Sequence, residues 1–449
     1  MTSTVNELQQ ALAEGRTTSL ALTEEALSRA TDPAGEGARV FTRLYPDAAR
    51  AAAQASDLLR KAGPARSPID GLPISIKDLF DVAGEVTMAG SVARAGEPAA
   101  VEDAVVVKRL RAAGAVIVGR TNMTEFAFSG LGINPHYGTP LNPWDRATGR
   151  IPGGSSSGAA VSVADGMALA GIGSDTGGSL RIPAALCGLV GFKPTASRVP
   201  TQGVLPLSTS LDSIGAIAPS VACCAQVDAI LSGDPLGTLH PASLQGLRLV
   251  VPTTLVMEGL DDQVAGSFQR AISRLSALGA VVQEMAIPAF DRLATINAKG
   301  GLIAAEAWAW HRELLATEGP RYDPRVSSRI LRGQAMSAAD YIDVLNARRA
   351  WVAEVEAQVV GHDALVLPTV PVVAPVLADI VASDEVYTRT NLLLLRNPTL
   401  VNFLDGCALS LPCQRRGEAP VGLMLAAPRL QDQRLLSIAL AIEPALHPA

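Results

Sequence analysis

The 449-residue chain has the composition of a large α/β protein. Its residues are 48% hydrophobic but only 4% aromatic, so aliphatic side chains and alanine must fill the core. The formal net charge is −6 and the sequence has no basic patch, which argues against nucleic acid as a direct partner. No run of 18 apolar residues occurs, so no segment is expected to span a membrane.

The cysteines and the N-terminal stretch favour a reducing compartment. The stretch MTSTVNELQQALAEGR lacks the basic and apolar regions of a signal peptide. The cysteines are odd in number and stand in apolar surroundings, so we interpret them as reduced core thiols of a cytoplasmic protein. They are Cys187, Cys223, Cys224, Cys407 and Cys413.

Hydrophobic periodicity predicts helices that alternate with short strands. A capping box at Thr4 and Glu7 begins a first helix that is expected to end near Glu14. Further helices are predicted at 19–30, 46–62, 101–113, 262–278, 301–316, 337–360 and 431–443. Strands are predicted at 72–77, 115–119, 169–173, 247–251, 364–368, 408–411 and 421–426. This alternation predicts an α/β fold in which helices cover both faces of a sheet.

Two loops rich in glycine and serine carry the strongest chemical signal. They read GGSSSG at 153–158 and DTGGS at 175–179, and such loops expose backbone N–H groups and serine hydroxyls together. A lysine lies upstream in GLPISIKD, where Ile74 and Ile76 alternate with smaller residues and predict a strand ending at Lys77. Burial would lower the pKa of this lysine and allow it to accept a proton. Serine and lysine can therefore perform acyl transfer without histidine.

Histidine, metal and nucleotide chemistries have weaker support. None of the five histidines lies near the two loops in sequence, and none has a metal-ligand spacing such as H-E-x-x-H, so no metal or other cofactor is predicted. The G-x-S-x-G nucleophile elbow is absent, because Leu180 and Arg181 follow Ser179. The glycines at 171–177 do not match a dinucleotide fingerprint, since Thr176 stands where glycine or alanine is required.

At these motifs the chain resembles the amidase signature family. Three anchors occur in the expected order, namely GLPISIKD, GGSSSG and DTGGSLRIPA, and the resemblance continues through CGLVGFKPT. It is strong over residues 65–215 and weak over most of the remainder. The resemblance implies an amide hydrolase without a cofactor, built as one large domain around a mixed β-sheet.

The resemblance also implies a role for each motif residue. Ser179 would be the nucleophile, and Ser155, held by a cis peptide bond after Gly154, would be the bridging serine. Lys77 would be the final base and would have to be neutral. The oxyanion hole would consist of the backbone N–H groups of Thr176, Gly177, Gly178 and Ser179.

Five neighbouring residues are candidates for substrate binding or for support of the site. Ser156 can be interpreted as a helix N-cap or as a supporting residue. Arg181 can pair with a structural carboxylate or with substrate, and Asp175 is expected to orient its loop. Met123 and Phe126 are expected to contribute apolar surface near the site, which favours an aryl or aliphatic acyl group.

One amidase domain is expected over residues 1–449. N-terminal helices are predicted within 1–65, the catalytic core within 66–235, and the rest of the sheet and the wall of the substrate pocket within 236–449. Residues 361–400 are rich in proline, valine and leucine, and are predicted to form a less regular wall near the substrate entrance.

The expected activity is hydrolysis of a small-molecule carboxylic amide to an acid and ammonia or an amine, through an acyl-enzyme on Ser179. One alternative is the glutaminase subunit of a tRNA-dependent amidotransferase, which would need a partner chain. Another is a non-catalytic binding protein that kept the fold, although intact Lys77, Ser155 and Ser179 argue against it. Neither nucleic acid nor a membrane is expected as a partner, and the family suggests a homodimer.

Overall fold

Eleven strands form one mixed β-sheet in the computed structural model, which describes residues 3–235 and 237–446. The strands are β1 Phe41–Leu44, β2 Pro73–Lys77, β3 Val116–Thr121, β4 Ala170–Asp175, β5 Val190–Lys193, β6 Ser213–Ala218, β7 Arg248–Pro252, β8 Val281–Met285, β9 Ala364–Pro368, β10 Cys407–Pro412 and β11 Gly422–Ala427. Their order across the sheet is β1-β3-β2-β4-β6-β5-β10-β11-β9-β7-β8. Strand β2 is parallel to β3 and β4, and β7 is parallel to β8 and β9, whereas the other neighbours are antiparallel. The predicted mixed α/β sheet is confirmed.

Helices occupy most of the segments between these strands. They are α1 Val5–Ala13, α2 Ser19–Thr31, α3 Gly37–Val40, α4 Pro46–Ala62, α5 Val105–Ala112, α6 Ser157–Ala164, α7 Arg181–Cys187, α8 Val221–Ser232, α9 Asp262–Ala277, α10 Arg292–Ile296, α11 Gly301–Glu318, α12 Pro324–Leu331, α13 Ala338–Val359, α14 Leu377–Val381, α15 Asp384–Leu404 and α16 Asp432–Leu446. The predicted capping box at Thr4 and Glu7 is present. Helix α5 begins at Val105 and not at residue 101, and Asp103 instead accepts a hydrogen bond from the Ala83 N–H.

Apolar side chains pack on both faces of the sheet. On β7, Leu249 and Val251 belong to one apolar cluster and Val250 to a second one. On β9, Val366 lies in the first cluster and Leu365 in the second. Because successive side chains of a strand point to opposite faces, this division buries both sides of the sheet, as predicted. Among the described residues, no helix is long and apolar enough to cross a membrane.

Two central strands, β5 and β6, were not predicted, because glycine weakens their strand pattern. A Cβ atom on Gly215 of β6 would lie 2.1 Å from the Phe192 carbonyl oxygen. A Cβ atom on Gly191 of β5 would lie 2.6 Å from the Leu180 carbonyl oxygen. These glycines therefore allow a close approach of neighbouring backbone. An alternation of apolar and polar side chains, which predicts strands, does not reveal such positions. Strands β1 and β8, also not predicted, are short and lie at the two edges of the sheet.

Beyond the strand predicted at 364–368, residues 361–400 were expected to form a less regular wall, and this expectation is wrong. The segment contains β9 and α14, and it enters the 21-residue helix α15. The Ser383 hydroxyl caps α15 by accepting from the Val386 N–H, and Asp384 and Glu385 lie in its first turn. Pro398 lies inside this helix, although proline usually interrupts a helix, so its position in the sequence does not mark the end of α15.

The parallel arrangement of β2 and β4 positions the polar site. Ile74, Ser75 and Ile76 of β2 are in register with residues 170–172 of β4. Both strands run in the same direction, so Lys77 at the end of β2 and Asp175 at the end of β4 reach the same edge of the sheet. The loop that contains Ser179 begins directly after β4.

Candidate active site

Lys77 is fully buried and its amine contacts two serine hydroxyls. Its Nζ donates to Ser155 Oγ at 2.8 Å and to Ser174 Oγ at 2.9 Å. Burial destabilises the ammonium form and lowers the pKa of Lys77 to about 7, although the charges of Asp175 and Asp212 oppose this shift. A substantial fraction of Lys77 is therefore neutral at neutral pH, as its expected role as a base requires.

Ser155 is held in a tightly packed loop. The peptide bond between Gly154 and Ser155 is cis, as predicted. A Cβ atom on Gly154 would lie 2.5 Å from the Gly132 nitrogen, so only glycine fits at this position. The Gly154 N–H donates to the Gly130 carbonyl at 2.8 Å, and the Thr124 N–H donates to the Ser155 carbonyl at 3.1 Å. These contacts fix the loop that presents the Ser155 hydroxyl to Lys77.

Ser179 lies against the same loop and lines a cavity of about 640 Å³. The Ser156 N–H donates to the Ser179 carbonyl at 3.3 Å. Among the described residues, the Ser179 hydroxyl has no hydrogen-bond partner, so the role of Ser155 as a bridge between Ser179 and Lys77 stays a prediction. Lys77 is thus hydrogen-bonded directly to Ser155, and Ser179 contacts the loop of Ser155 through a backbone hydrogen bond.

Asp175 organises the turn that leads to Ser179. Its carboxylate accepts from the Gly178 N–H at 2.8 Å and from the Leu180 N–H at 3.0 Å. Burial alone would raise the pKa of Asp175, but the charge and hydrogen bonds of Arg181 lower it overall. Asp175 is therefore an ionised loop anchor, as expected. Because Asp175 engages the Gly178 N–H, this group is not free to bind an oxyanion in this conformation, which corrects the prediction for Gly178.

Arg181 is the structural partner of Asp175. It is fully buried, and its Nε and Nη2 donate to the two carboxylate oxygens at 3.0 and 2.9 Å. Further bonds run to the Asn402 side chain at 2.6 Å and to the Pro398 carbonyl at 3.1 Å. Of the two interpretations of Arg181, the pairing with a structural carboxylate is the one observed.

Ser156 occupies the N-cap position of α6 but does not cap the helix with its side chain. Its hydroxyl donates instead to the Ser174 carbonyl at 3.3 Å. Ser156 therefore links the loop of Ser155 to the end of β4, which is a supporting role and not the capping role.

The sequence did not point to two polar residues near Lys77. Ser174 supplies its second hydroxyl contact, and Asp212 accepts a hydrogen bond from the Thr176 hydroxyl. The one signal for Ser174 is its place at the end of a strand, next to the DTGGS motif. Asp212 lies in an apolar stretch, LDSIGAI, whose spacing to the motifs carries no chemical information.

Met123 and Phe126 do not line the cavity and are fully buried. The Phe126 ring lies 4.4 Å from the His311 ring and 4.9 Å from the Tyr322 ring, between ring centroids. The apolar surface expected at these residues is thus packed inside the protein. The cavity is lined instead by residues that follow in the same segment, including Phe128.

Comparison with known proteins agrees with the geometry of this site. A family model described as Amidase matches residues 21–436. The 2-amino-5-chloromuconic acid deaminase of Comamonas testosteroni is 39% identical, over 88% of this chain and 86% of the relative. A glutamyl-tRNA(Gln) amidotransferase subunit of Chloroflexus aurantiacus is 35% identical, over 97% of this chain and 95% of the relative.

A solved structure also matches nearly the whole chain. The crystal structure of an amidase superposes with a TM-score of 0.87 at 34% identity and covers 98% of this chain and 99% of the matched chain. The family model and these relatives span nearly the whole chain. The chain therefore belongs to the amidase family and is an amide hydrolase that acts on C–N bonds.

Proposed function

We propose that hydrolysis proceeds through an acyl-enzyme on Ser179, with Ser155 as the proton bridge and Lys77 as the base. The observation that carries this proposal is the buried Lys77 amine, hydrogen-bonded to Ser155 and with a pKa lowered to about 7. A lysine in ordinary solvent would be almost fully protonated at neutral pH and could not accept a proton. Lysine also replaces histidine in known serine nucleophile arrangements.

Acylation then needs two linked proton transfers. A neutral amine has two N–H groups and one lone pair, so Lys77 can donate to Ser174 and still accept the Ser155 proton. Ser155 in turn takes the proton of Ser179 as Ser179 Oγ forms a bond to the amide carbonyl carbon. The carbonyl π electrons move to oxygen and form the tetrahedral oxyanion.

The oxyanion is proposed to bind to backbone N–H groups of Thr176, Gly177 and Ser179. The contact of Gly178 with Asp175 supports the choice of these three and holds the turn in place. Preorganised donors of this kind stabilise the charge that develops in the transition state.

Collapse of the tetrahedral intermediate breaks the C–N bond. The proton returns from Lys77 through Ser155 to the leaving nitrogen, which departs as ammonia or an amine. Water then attacks the acyl-enzyme while the same relay accepts its proton, and the Ser179 oxygen is reprotonated as the carboxylic acid leaves. Atoms and charges balance over the two half-reactions.

Fluorophosphonate labelling tests the nucleophile. We expect peptide mapping to find the label on Ser179, and Ser179→Ala to abolish labelling and lower kcat by several orders of magnitude. Ser276→Ala, at an exposed position of α9, is the control and should leave both unchanged. Labelling of another serine with Ser179 unmodified would overturn the assignment.

A glutaminase subunit of an amidotransferase is the second candidate, because the Chloroflexus aurantiacus relative is an amidotransferase subunit by name, at 35% identity. It predicts glutamine hydrolysis that depends on a partner chain. Hydrolysis of simple amides by the isolated protein would favour the first candidate. A homodimer remains a prediction, and sedimentation velocity tests it directly.

A cytoplasmic setting is also part of the proposal. The described residues include five unpaired, buried thiols, and free thiols are typical of a reducing compartment. Fractionation of cells that express the tagged protein tests this setting.

A further inference from the structure

The cavity that contains Ser179 has an excess of positive charge that amide hydrolysis itself does not require. Arg325 and Arg329 lie on α12, Arg332 follows the end of that helix, and all three line the cavity. Among the lining residues that the structure describes, one carboxylate occurs, that of Asp384. Three arginines against one aspartate leave a local net charge of +2, although the formal net charge of the chain is −6.

The single lining carboxylate is already engaged. Arg325 Nε donates to Asp384 Oδ1 at 2.8 Å, and Arg325 Nη2 donates to the Val381 carbonyl at 3.4 Å. The pair lies at the outer part of the site, where the Asp384 side chain is 82% exposed. Asp384 is therefore the counter-ion of Arg325.

Two cations of this wall, Arg329 and Arg332, form no ion pair in the described part of the chain. Arg332 is exposed and donates to the Ala298 carbonyl at 3.3 Å, so the less exposed of the two is Arg329. It is half-buried, and its Nη1 donates to the Phe128 carbonyl at 2.7 Å. Its guanidinium carbon lies 5.1 Å from the centre of the Tyr387 ring. In the described part of the chain, no carboxylate forms an ion pair with Arg329. A guanidinium has five N–H donors, and the bond to Phe128 is the one hydrogen bond of Arg329 among the described residues, so most of its donors have no protein partner.

The surroundings of Arg329 hold it in place for a ligand. The bond to Phe128 and the Tyr387 ring restrict its side chain, so little conformational freedom is lost when a ligand binds. A partly desolvated guanidinium without a counter-ion favours an anion, and its planar fork matches the two oxygens of a carboxylate.

We propose that the cavity selects amides that carry a carboxylate, and that Arg329 binds this carboxylate while the amide carbonyl lies at Ser179. This inference rests on the proposed role of Ser179. The one described carboxylate of the cavity, that of Asp384, already has Arg325 as its counter-ion, so no unpaired carboxylate faces an ammonium group. The favoured substrates are therefore monoamides of dicarboxylic acids, and an α-amino group next to the carboxylate is disfavoured.

Three five-carbon amides test this selection by their release of ammonia. Glutaramate carries the carboxylate, pentanamide replaces it with a methyl group, and L-glutamine adds an ammonium group to glutaramate. We expect kcat/KM for glutaramate to exceed that for each of the other two by at least about tenfold. The same pair of an acid amide and a neutral amide is also tested with four and six carbons, because the best spacing between the substrate's carboxylate and its amide is not fixed in advance.

Arg329→Gln should reduce the ratio of glutaramate to pentanamide towards one. Arg349→Gln is the matched control, because Arg349 is exposed on α13 and lies outside the cavity, and it should keep the wild-type ratio. Thermal melting verifies that Arg329→Gln is folded. A wild-type ratio near one at all three lengths, with clear hydrolysis of both members, would overturn the carboxylate site and leave the amide hydrolase intact.

Calorimetry on Ser179→Ala protein separates binding from catalysis. Glutaramate should bind at least about tenfold more tightly than pentanamide, and adding Arg329→Gln should remove the difference. Equal affinities would overturn the proposal whether or not the wild-type protein hydrolyses these amides. A clear difference in affinity without any hydrolysis would instead contradict the proposed function of Ser179 towards these substrates.

Discussion

The Thr176 hydroxyl donates a hydrogen bond to the Asp212 carboxylate, which ties the loop of Ser179 to a second acid of the site. Asp212 also accepts from the Leu207 N–H at 3.0 Å and from the Ser208 N–H at 3.1 Å. Burial raises the pKa of Asp212 to about 6, although these hydrogen bonds oppose the shift. Near pH 7 Asp212 is therefore mostly ionised and acts on Lys77 as a negative charge.

Asp212→Asn should shift the pH dependence of activity to lower pH. The charge of Asp212 raises the pKa of Lys77. Its removal therefore lowers that pKa, and the neutral amine forms at lower pH. The measurement is kcat/KM against pH for wild type and variant. Asparagine keeps one acceptor oxygen, which can still accept from Thr176, and the contact of the second oxygen with the Leu207 N–H is lost. A rising limb at unchanged or higher pH in the variant would contradict the electrostatic link.

Activity of the wild-type protein should rise with pH through about 7 and reach a plateau above it. Burial lowers the pKa of Lys77 to about 7, and the neutral form is the one that accepts a proton. Lys77→Ala should lower kcat/KM by about 10²–10⁴-fold. Lys77→Arg should not restore the lost activity, because a guanidinium stays charged and cannot accept a proton.

Lys61→Ala, at an exposed position of α4, is the control for charge removal and should keep the wild-type profile. Circular dichroism establishes whether the Lys77 variants are folded. Near wild-type activity of Lys77→Ala at neutral pH would show that Lys77 is not the base.

Ser174 should act as a positioning residue for Lys77. Its hydroxyl lies 2.9 Å from Lys77 Nζ, and Ser174→Ala removes one of the two contacts that aim the amine at Ser155. We expect kcat to fall about tenfold with little change in KM, and Ser174→Thr to restore part of the rate because it keeps the hydroxyl.

Ser162→Ala is the matched control for the Ser174 variant. Ser162 is also fully buried, but its hydroxyl pairs with Ser75 Oγ at 2.9 Å and not with Lys77. The control should affect stability without a tenfold loss of kcat. An equal loss of kcat in both variants would indicate a general packing effect.

Strong local patterns made much of the fold predictable. The capping box at Thr4, the alternation that ends at Lys77 and the long amphipathic helices identified their elements from a few residues each. The patterns fail where tertiary packing determines the structure, as at Gly191 and Gly215, which weaken the strand signal because neighbouring backbone lies so close to them. The proline content of residues 361–400 misled for another reason, since Pro398 lies inside α15 and does not end it.

The motif residues of the site were predictable, but their distant neighbours were not. Lys77 and Ser155 meet because β2 and the GGSSSG loop converge at one edge of the sheet, and the motifs identified both. Arg329 and Phe128 approach each other across 201 positions of sequence, and no local pattern encodes that contact. Met123 misled because an apolar residue near a motif is as consistent with the core as with a substrate pocket.

Arg181→Gln should lower the free energy of unfolding by about 3–5 kcal/mol, because it leaves the fully buried Asp175 carboxylate without its cation. Arg29→Gln is the control, since the Arg29–Glu25 pair is exposed, and it should change stability by less than about 0.5 kcal/mol. Urea denaturation measures both.

Because the pKa of Asp175 is lowered in the folded protein, the stability that its ionised form contributes is present above the ordinary aspartate pKa and is lost as the pH falls. The difference between wild type and Arg181→Gln should thus be largest at neutral pH and narrow in acid. A difference that is small at neutral pH would mean that Asn402 and the backbone donors hold the carboxylate without Arg181.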